Sequence, residues 1–170
     1  MRAFTDETTL VLIGPMGVGK TTVGKKLARA LKREFIDTDG LVVAKHGEIS
    51  KIFENQGEPV FRGFEEQAVA EAIAKPAVVA TGGGAVLSQL TRDRLGESCV
   101  VVYLSTDGRH IRARLVGGKR PLVKNGFDDW IRIYEERKPL YEAAADLTID
   151  TSGKSLAATV TEIKERLGIQ

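Results

Sequence analysis

No apolar run in the sequence approaches the roughly 20 residues needed to cross a bilayer, and the stretch from Met1 to Thr9 is too acidic and polar for a secretory signal. The cytoplasm is the expected compartment. Cysteine is nearly missing: the single Cys99 lies in Ser98-Cys99-Val100-Val101-Val102-Tyr103-Leu104, which reads as a buried strand where a thiol acts as a small hydrophobe. Neither sign of charge predominates, since 25 basic residues meet 23 acidic ones for a formal net charge of +2. That balance excludes a surface coated for nucleic acid or anionic membrane, so any selectivity for anions must be local. Repeats, low-complexity tracts and linker-like composition are also missing. What remains is a chain of 170 residues with 42% hydrophobic content, the size of one compact domain that can bury a core without disulfides or a structural metal.

Short β-branched runs recur between amphipathic stretches of helical length, the pattern of βαβ units and a parallel sheet covered on both faces. The runs Leu10 to Ile13, Phe35-Ile36, Ala77 to Ala80, Cys99 to Leu104 and Leu147 to Ile149 predict five strands in an α/β sandwich. A helix is predicted from about Lys20 to Leu31, because Val23, Leu27, Ala28 and Leu31 share one helical face. Helical pattern dominates from Leu41 to Ala74, with breaks around Gly47 and Gly57-Glu58-Pro59, and a last helix runs from about Ser155 to Leu167. The basic, glycine-rich segment Val116 to Pro121, followed by Lys124-Asn125-Gly126, suits a mobile lid spanning about 114–127.

Between the first strand and its helix stands Gly14-Pro15-Met16-Gly17-Val18-Gly19-Lys20-Thr21, a Walker A pattern in the context its mechanism requires. The glycines let successive amides turn inward on phosphate oxygens, and the helix amino terminus adds a favourable dipole. Lys20 is expected to neutralise the β- and γ-phosphates of ATP and the Thr21 hydroxyl to take a magnesium position, while Thr22 supports the helix start. The nucleotide-binding set is therefore Gly14, Gly17, Val18, Gly19, Lys20, Thr21 and Thr22.

Ligands of open parallel sheets bind beyond the carboxyl ends of the strands. After the second strand comes Asp37-Thr38-Asp39, where one carboxylate would face metal and phosphates and the other would accept a hydroxyl proton. The competing use is that Thr38 or Asp39 caps a helix beginning near Leu41. After the third strand, Thr81-Gly82-Gly83-Gly84-Ala85 places three glycines where a backbone comes too close to something for a β-carbon, or forms a plain turn. Arg62 in Phe61-Arg62-Gly63-Phe64-Glu65 could clamp a carboxylate as a bidentate donor, and Arg137 in Glu135-Glu136-Arg137-Lys138-Pro139-Leu140-Tyr141 could do the same or pair with its neighbouring acids.

In this order the pieces, with Arg120-Pro121-Leu122, resemble shikimate kinase over essentially the whole chain. The resemblance implies a three-layer fold like the nucleoside-monophosphate kinases, with a parallel sheet in the order 2-3-1-4-5, as a single domain over 1–170. A substrate-binding helical insertion would span about 40–75. It implies transfer of phosphoryl from ATP to the 3-hydroxyl of shikimate, in aromatic amino-acid biosynthesis, by a monomer that needs one Mg2+ and no nucleic acid or membrane. Asp39 would hold the accepting hydroxyl, Arg62 and Arg137 the carboxylate, and the amides of Gly82, Gly83 and Gly84 the ring. Asp37 would sit near magnesium, mainly through water. Arg120 would close over the transferring group, and Arg112 or Arg114 would lie against adenine, near a stretch about Thr151 to Lys154. A gluconate or nucleoside-monophosphate kinase is the rival on the same P-loop, and a nucleotide-binding regulatory module the rival of another class. His46, His110 and Trp130 are read as surface or packing residues.

Overall fold

The computed structural model describes residues 2–115 and 121–170. Five strands, β1 (Thr9–Ile13), β2 (Phe35–Asp37), β3 (Val78–Ala80), β4 (Cys99–Ser105) and β5 (Leu147–Asp150), form one sheet in the order β2-β3-β1-β4-β5. All neighbouring pairs are parallel. In the central strand β1 both faces are buried, which is why it reads as an unbroken apolar run. Its alternation still sorts the core. Leu10 and Leu12 pack with Val100, Val102 and Leu27 on one face, and Val11 and Ile13 with Val79, Val101 and Tyr103 on the other. The edge strand β5 alternates buried and exposed residues.

Helix α1 (Lys20–Leu31) follows β1, and α2 (Thr38–His46), α3 (Ile49–Gln56) and α4 (Glu58–Ala72) connect β2 to β3. A 3-10 turn (Ala85–Leu87) and α5 (Gln89–Ser98) lead to β4, then α6 (Ile111–Leu115) and α7 (Phe127–Ala144) to β5, and α8 (Leu156–Leu167) follows. The breaks at Gly47 and Gly57 fall where expected, but Pro59 opens α4 rather than separating two helices, because the first turn needs no N–H from it. The second helix also begins earlier than expected. Asp37 is its N-cap, accepting from the amides of Asp39 at 3.0 Å and Gly40 at 3.4 Å, so Thr38 and Asp39 lie inside the first turn and neither acts as the cap. Cys99 is buried in the sheet core, and burial pushes its thiol pKa up, in keeping with an inert role. Among the described residues no helix is long and apolar enough to cross a membrane.

Candidate active site

Parallel pairing brings the loops after β1, β2 and β3 to one edge of the sheet: Leu12 is level with Ala80, and Asp37 with Ala80. The loop after β1 wraps a cavity of about 410 Å³ lined by Gly17, Gly19, Lys20, Thr21, Thr22, Asp37, Asp39 and Arg114. Gly14 at its base has φ +144 and sits so close to β4 that a β-carbon would come within 2.5 Å of the Leu104 carbonyl oxygen. Lys20, only 8% exposed, donates to the carbonyls of Gly14 at 2.6 Å and Pro15 at 2.9 Å, which holds its ammonium within the loop. Thr21 donates its hydroxyl to Asp37 Oδ2 at 3.1 Å, while Asp37 Oδ1 caps α2. One carboxylate thus fixes a helix start and meets the P-loop threonine.

Those two hard oxygen donors, both lining the P-loop cavity, fit magnesium, which takes few protein ligands when phosphates and water complete its octahedron. Among the described residues there is no cluster of three or more histidine, cysteine or carboxylate ligands, which is the arrangement an all-protein metal cage would need.

A second cavity, of about 280 Å³, lies under α3 and α4. Apolar walls come from Ile49, Phe53 and Phe61, and charge from Asp39, Arg62, Glu65 and Arg137. Asp39, Met16, Gly82 and Gly83 line both cavities. Burial, and then the nearby charge of Asp37, push the pKa of Asp39 up, with Lys20 and Arg62 acting in the opposite direction. A carboxylate held in this way is a better proton acceptor than a free aspartate.

Arg62 is oriented by two acids of its own helix, Glu58 at 3.1 Å and Glu65 at 2.8 Å. Glu65 is 3% exposed, and burial raises its pKa against the pull of Arg62 and Arg137. In the sequence this glutamate belongs to no chemical motif. The signal was its i,i+3 spacing from Arg62, which puts both on one helical face. Arg137 is 7% exposed on α7, and the acids beside it pair elsewhere, Glu135 with Lys138 at 2.7 Å and Glu136 with Arg132 at 3.5 Å.

The triple glycine answers to space. A β-carbon on Gly84 would stand 2.2 Å from Arg62 Nη1, and one on Gly82 would stand 2.7 Å from Glu65 Oε2 and 2.8 Å from Asp39 Oδ1. Its chain is pinned by the Gly82 amide donating to Thr38 Oγ1 at 3.3 Å and by the Tyr141 hydroxyl donating to the Gly83 carbonyl at 2.5 Å. Gly84→Ala is therefore expected to push the flexible end of Arg62 aside and raise KM for the acceptor on the order of tenfold, with KM for ATP unchanged. Steady-state kinetics with each substrate varied in turn checks this, and an unaltered acceptor KM would mean that the close approach has no functional consequence.

A model of the shikimate kinase family matches residues 16–168. The chain belongs to the shikimate kinase family. It is 39% identical over 168 residues to the shikimate kinase of Mannheimia succiniciproducens, covering 93% of this chain and 95% of that one. The shikimate kinase of Pseudoalteromonas atlantica is 40% identical, with 95% and 98% covered. Among solved structures, shikimate kinase from Acinetobacter baumannii in complex with shikimate superposes with a TM-score of 0.90 at 38% identity, covering 95% of this chain and 94% of that one. A gluconokinase from Sinorhizobium meliloti, covering 97% of this chain and 98% of that one, reaches a TM-score of 0.61 at 21% identity, which is a likeness of fold. A kinase needs room for two substrates, and this chain has two cavities that share Met16, Asp39, Gly82 and Gly83. Arg114 lines the P-loop cavity and donates to the Gly17 carbonyl at 2.6 Å, whereas Arg112 lies over the Phe127 ring at 4.7 Å. Arg120 and the lid residues Gly117 and Gly118 lie outside the described residues.

Proposed function

We propose that the chain transfers the γ-phosphoryl group of ATP to the 3-hydroxyl of shikimate, with Asp39 taking the hydroxyl proton, giving shikimate 3-phosphate and ADP. The reaction belongs to the route to aromatic amino acids. The observation that carries this assignment of roles is the position of Asp39 on the boundary between the P-loop cavity and the arginine-lined cavity. A phosphoryl group passing between two substrates must cross that boundary. The new bond forms from the 3-oxygen to the γ-phosphorus as the bridge to the β-phosphate breaks, and the proton goes to Asp39. In a loose transition state the protein supplies alignment and charge neutralisation rather than covalent chemistry. Lys20 neutralises the phosphates, and Arg62 and Arg137 hold the shikimate carboxylate.

Magnesium, bound through Thr21 and, by way of water, Asp37, would draw charge from the phosphate oxygens. Arg120 adds positive charge over the transferring group. It precedes Pro121 in the chain, and Pro121 and Leu122 line the acceptor cavity. The proposed reaction is that of a monomer in the cytoplasm whose partners are ATP and shikimate, not nucleic acid or membrane.

Release of ADP, followed by a coupled assay with magnesium, ATP and shikimate, tests the reading, with gluconate and nucleoside monophosphates run in parallel. Shikimate-dependent turnover with little ATP hydrolysis in its absence is the expected result. Turnover with gluconate alone would keep the P-loop side and discard the acceptor.

A further inference from the structure

Helix α7 bears a residue whose contact lies on the nucleotide side. Trp130 is 2% exposed, and its indole Nε1–H donates to the carbonyl of Met16 at 2.8 Å, 114 residues away in the chain. The ring is fixed by Phe127, stacked at 5.6 Å, and by Tyr134, tilted at 5.0 Å. Met16 is the second residue of a tight turn, Pro15 to Val18, closed by the Val18 amide donating to the Pro15 carbonyl at 3.4 Å. Gly17, the third residue, has φ +82, the conformation a type II turn requires there.

The central peptide of such a turn, here Met16–Gly17, is the unit whose rotation interconverts the type II and type I forms. That peptide is trans and planar, so its carbonyl and its N–H point in opposite directions. Holding the carbonyl toward α7 therefore holds the Gly17 N–H away from α7. Gly17 lines the phosphate cavity. We propose that Trp130 is a positioning residue for the nucleotide: by holding the Met16 carbonyl it keeps the Gly17 N–H aimed at the phosphates. A buried indole generally finds some acceptor; this one has taken the carbonyl of the peptide that carries the Gly17 amide. The inference rests on the P-loop as the nucleotide site.

The test begins with calorimetric titration of the wild-type protein with ADP and magnesium. Absence of binding would overturn the P-loop reading and this one with it. Trp130→Phe keeps the aromatic packing and removes the donor. It is expected to raise KM for ATP on the order of tenfold, the effect of losing one hydrogen bond and freeing a peptide to rotate, with KM for shikimate unchanged. A purely structural tryptophan would lower the melting temperature and leave the two KM values alike, and that outcome overturns the proposal. A second measurement does not depend on the variant folding. Trp130 is the only tryptophan of the chain, so its indole N–H gives one signal in a ¹⁵N-labelled sample. That signal is expected to move on titration with ADP and magnesium, with the midpoint found by calorimetry. A signal unmoved at saturation would remove the link between Trp130 and the nucleotide.

Discussion

Asp39→Asn is expected to lower kcat with shikimate by about 10³-fold, within the range of a lost general base, while ATP still binds. The amide matches the carboxylate in shape but cannot take the hydroxyl proton. The same change is expected to raise the melting temperature at pH 8, because the wild-type carboxylate is half-buried and faces Asp37. The sign follows from linkage. A carboxylate whose pKa is raised on folding binds its proton more tightly in the native state, so stability falls as pH rises from the ordinary value to the raised one and stays lower above it. The Asp39→Asn protein does not carry that penalty, so its advantage should close as pH falls toward about 4, the ordinary aspartate pKa. On the acid side, kcat/KM of the wild type should decline at a pH above the ordinary aspartate range. Melting curves and pH profiles of both proteins check these statements; a variant with near-normal kcat would remove Asp39 from the proton transfer.

The strands were legible because parallel strands buried on both faces are continuous apolar runs, as Cys99 to Leu104 is. The P-loop was legible because the spacing of its glycines carries the geometry of a phosphate cradle. The two aspartates were harder to tell apart. Which of them caps α2 depends on whether the helix starts at residue 38 or nearer 41, and Asp37-Thr38-Asp39-Gly40 reads equally well as a turn. Only the hydrogen bonds to Asp37 assign the cap, and Asp39 is left to line both cavities. In the sequence Trp130 shows only as a surface or packing residue, because its partner, the backbone carbonyl of Met16, is remote in the chain and leaves no trace in composition or periodicity. A stronger signal lay on the same helix. Trp130, Tyr134, Arg137 and Tyr141, spaced by four, three and four, form one buried stripe. An arginine at the third position of an otherwise aromatic buried face has a desolvated charge that calls for a partner.

That buried position sets the size of the last effect. Arg137→Ala is expected to cut kcat/KM for shikimate by about 10²–10³-fold, chiefly through KM, as happens when one member of a desolvated charge pair is removed. The nucleotide KM should stay as it is, since Arg137 lines the acceptor cavity and not the P-loop cavity. Lysine in its place should restore little, because a point charge cannot offer the planar fork that two carboxylate oxygens accept. Glu65 makes the variant worse than the loss of one contact suggests: Arg137 favours its ionised form, so without that charge the buried glutamate is harder to ionise and orients Arg62 less well. The decisive comparison uses an acceptor in which the carboxylate is replaced by a neutral amide. If Arg137 acts on the carboxylate, the loss from the variant and the loss from the analogue should fall well short of additive when combined, the variant losing with the analogue only what the Arg62 contact still supplied. Independent, additive losses would place Arg137 in the packing of α7 instead of on the substrate.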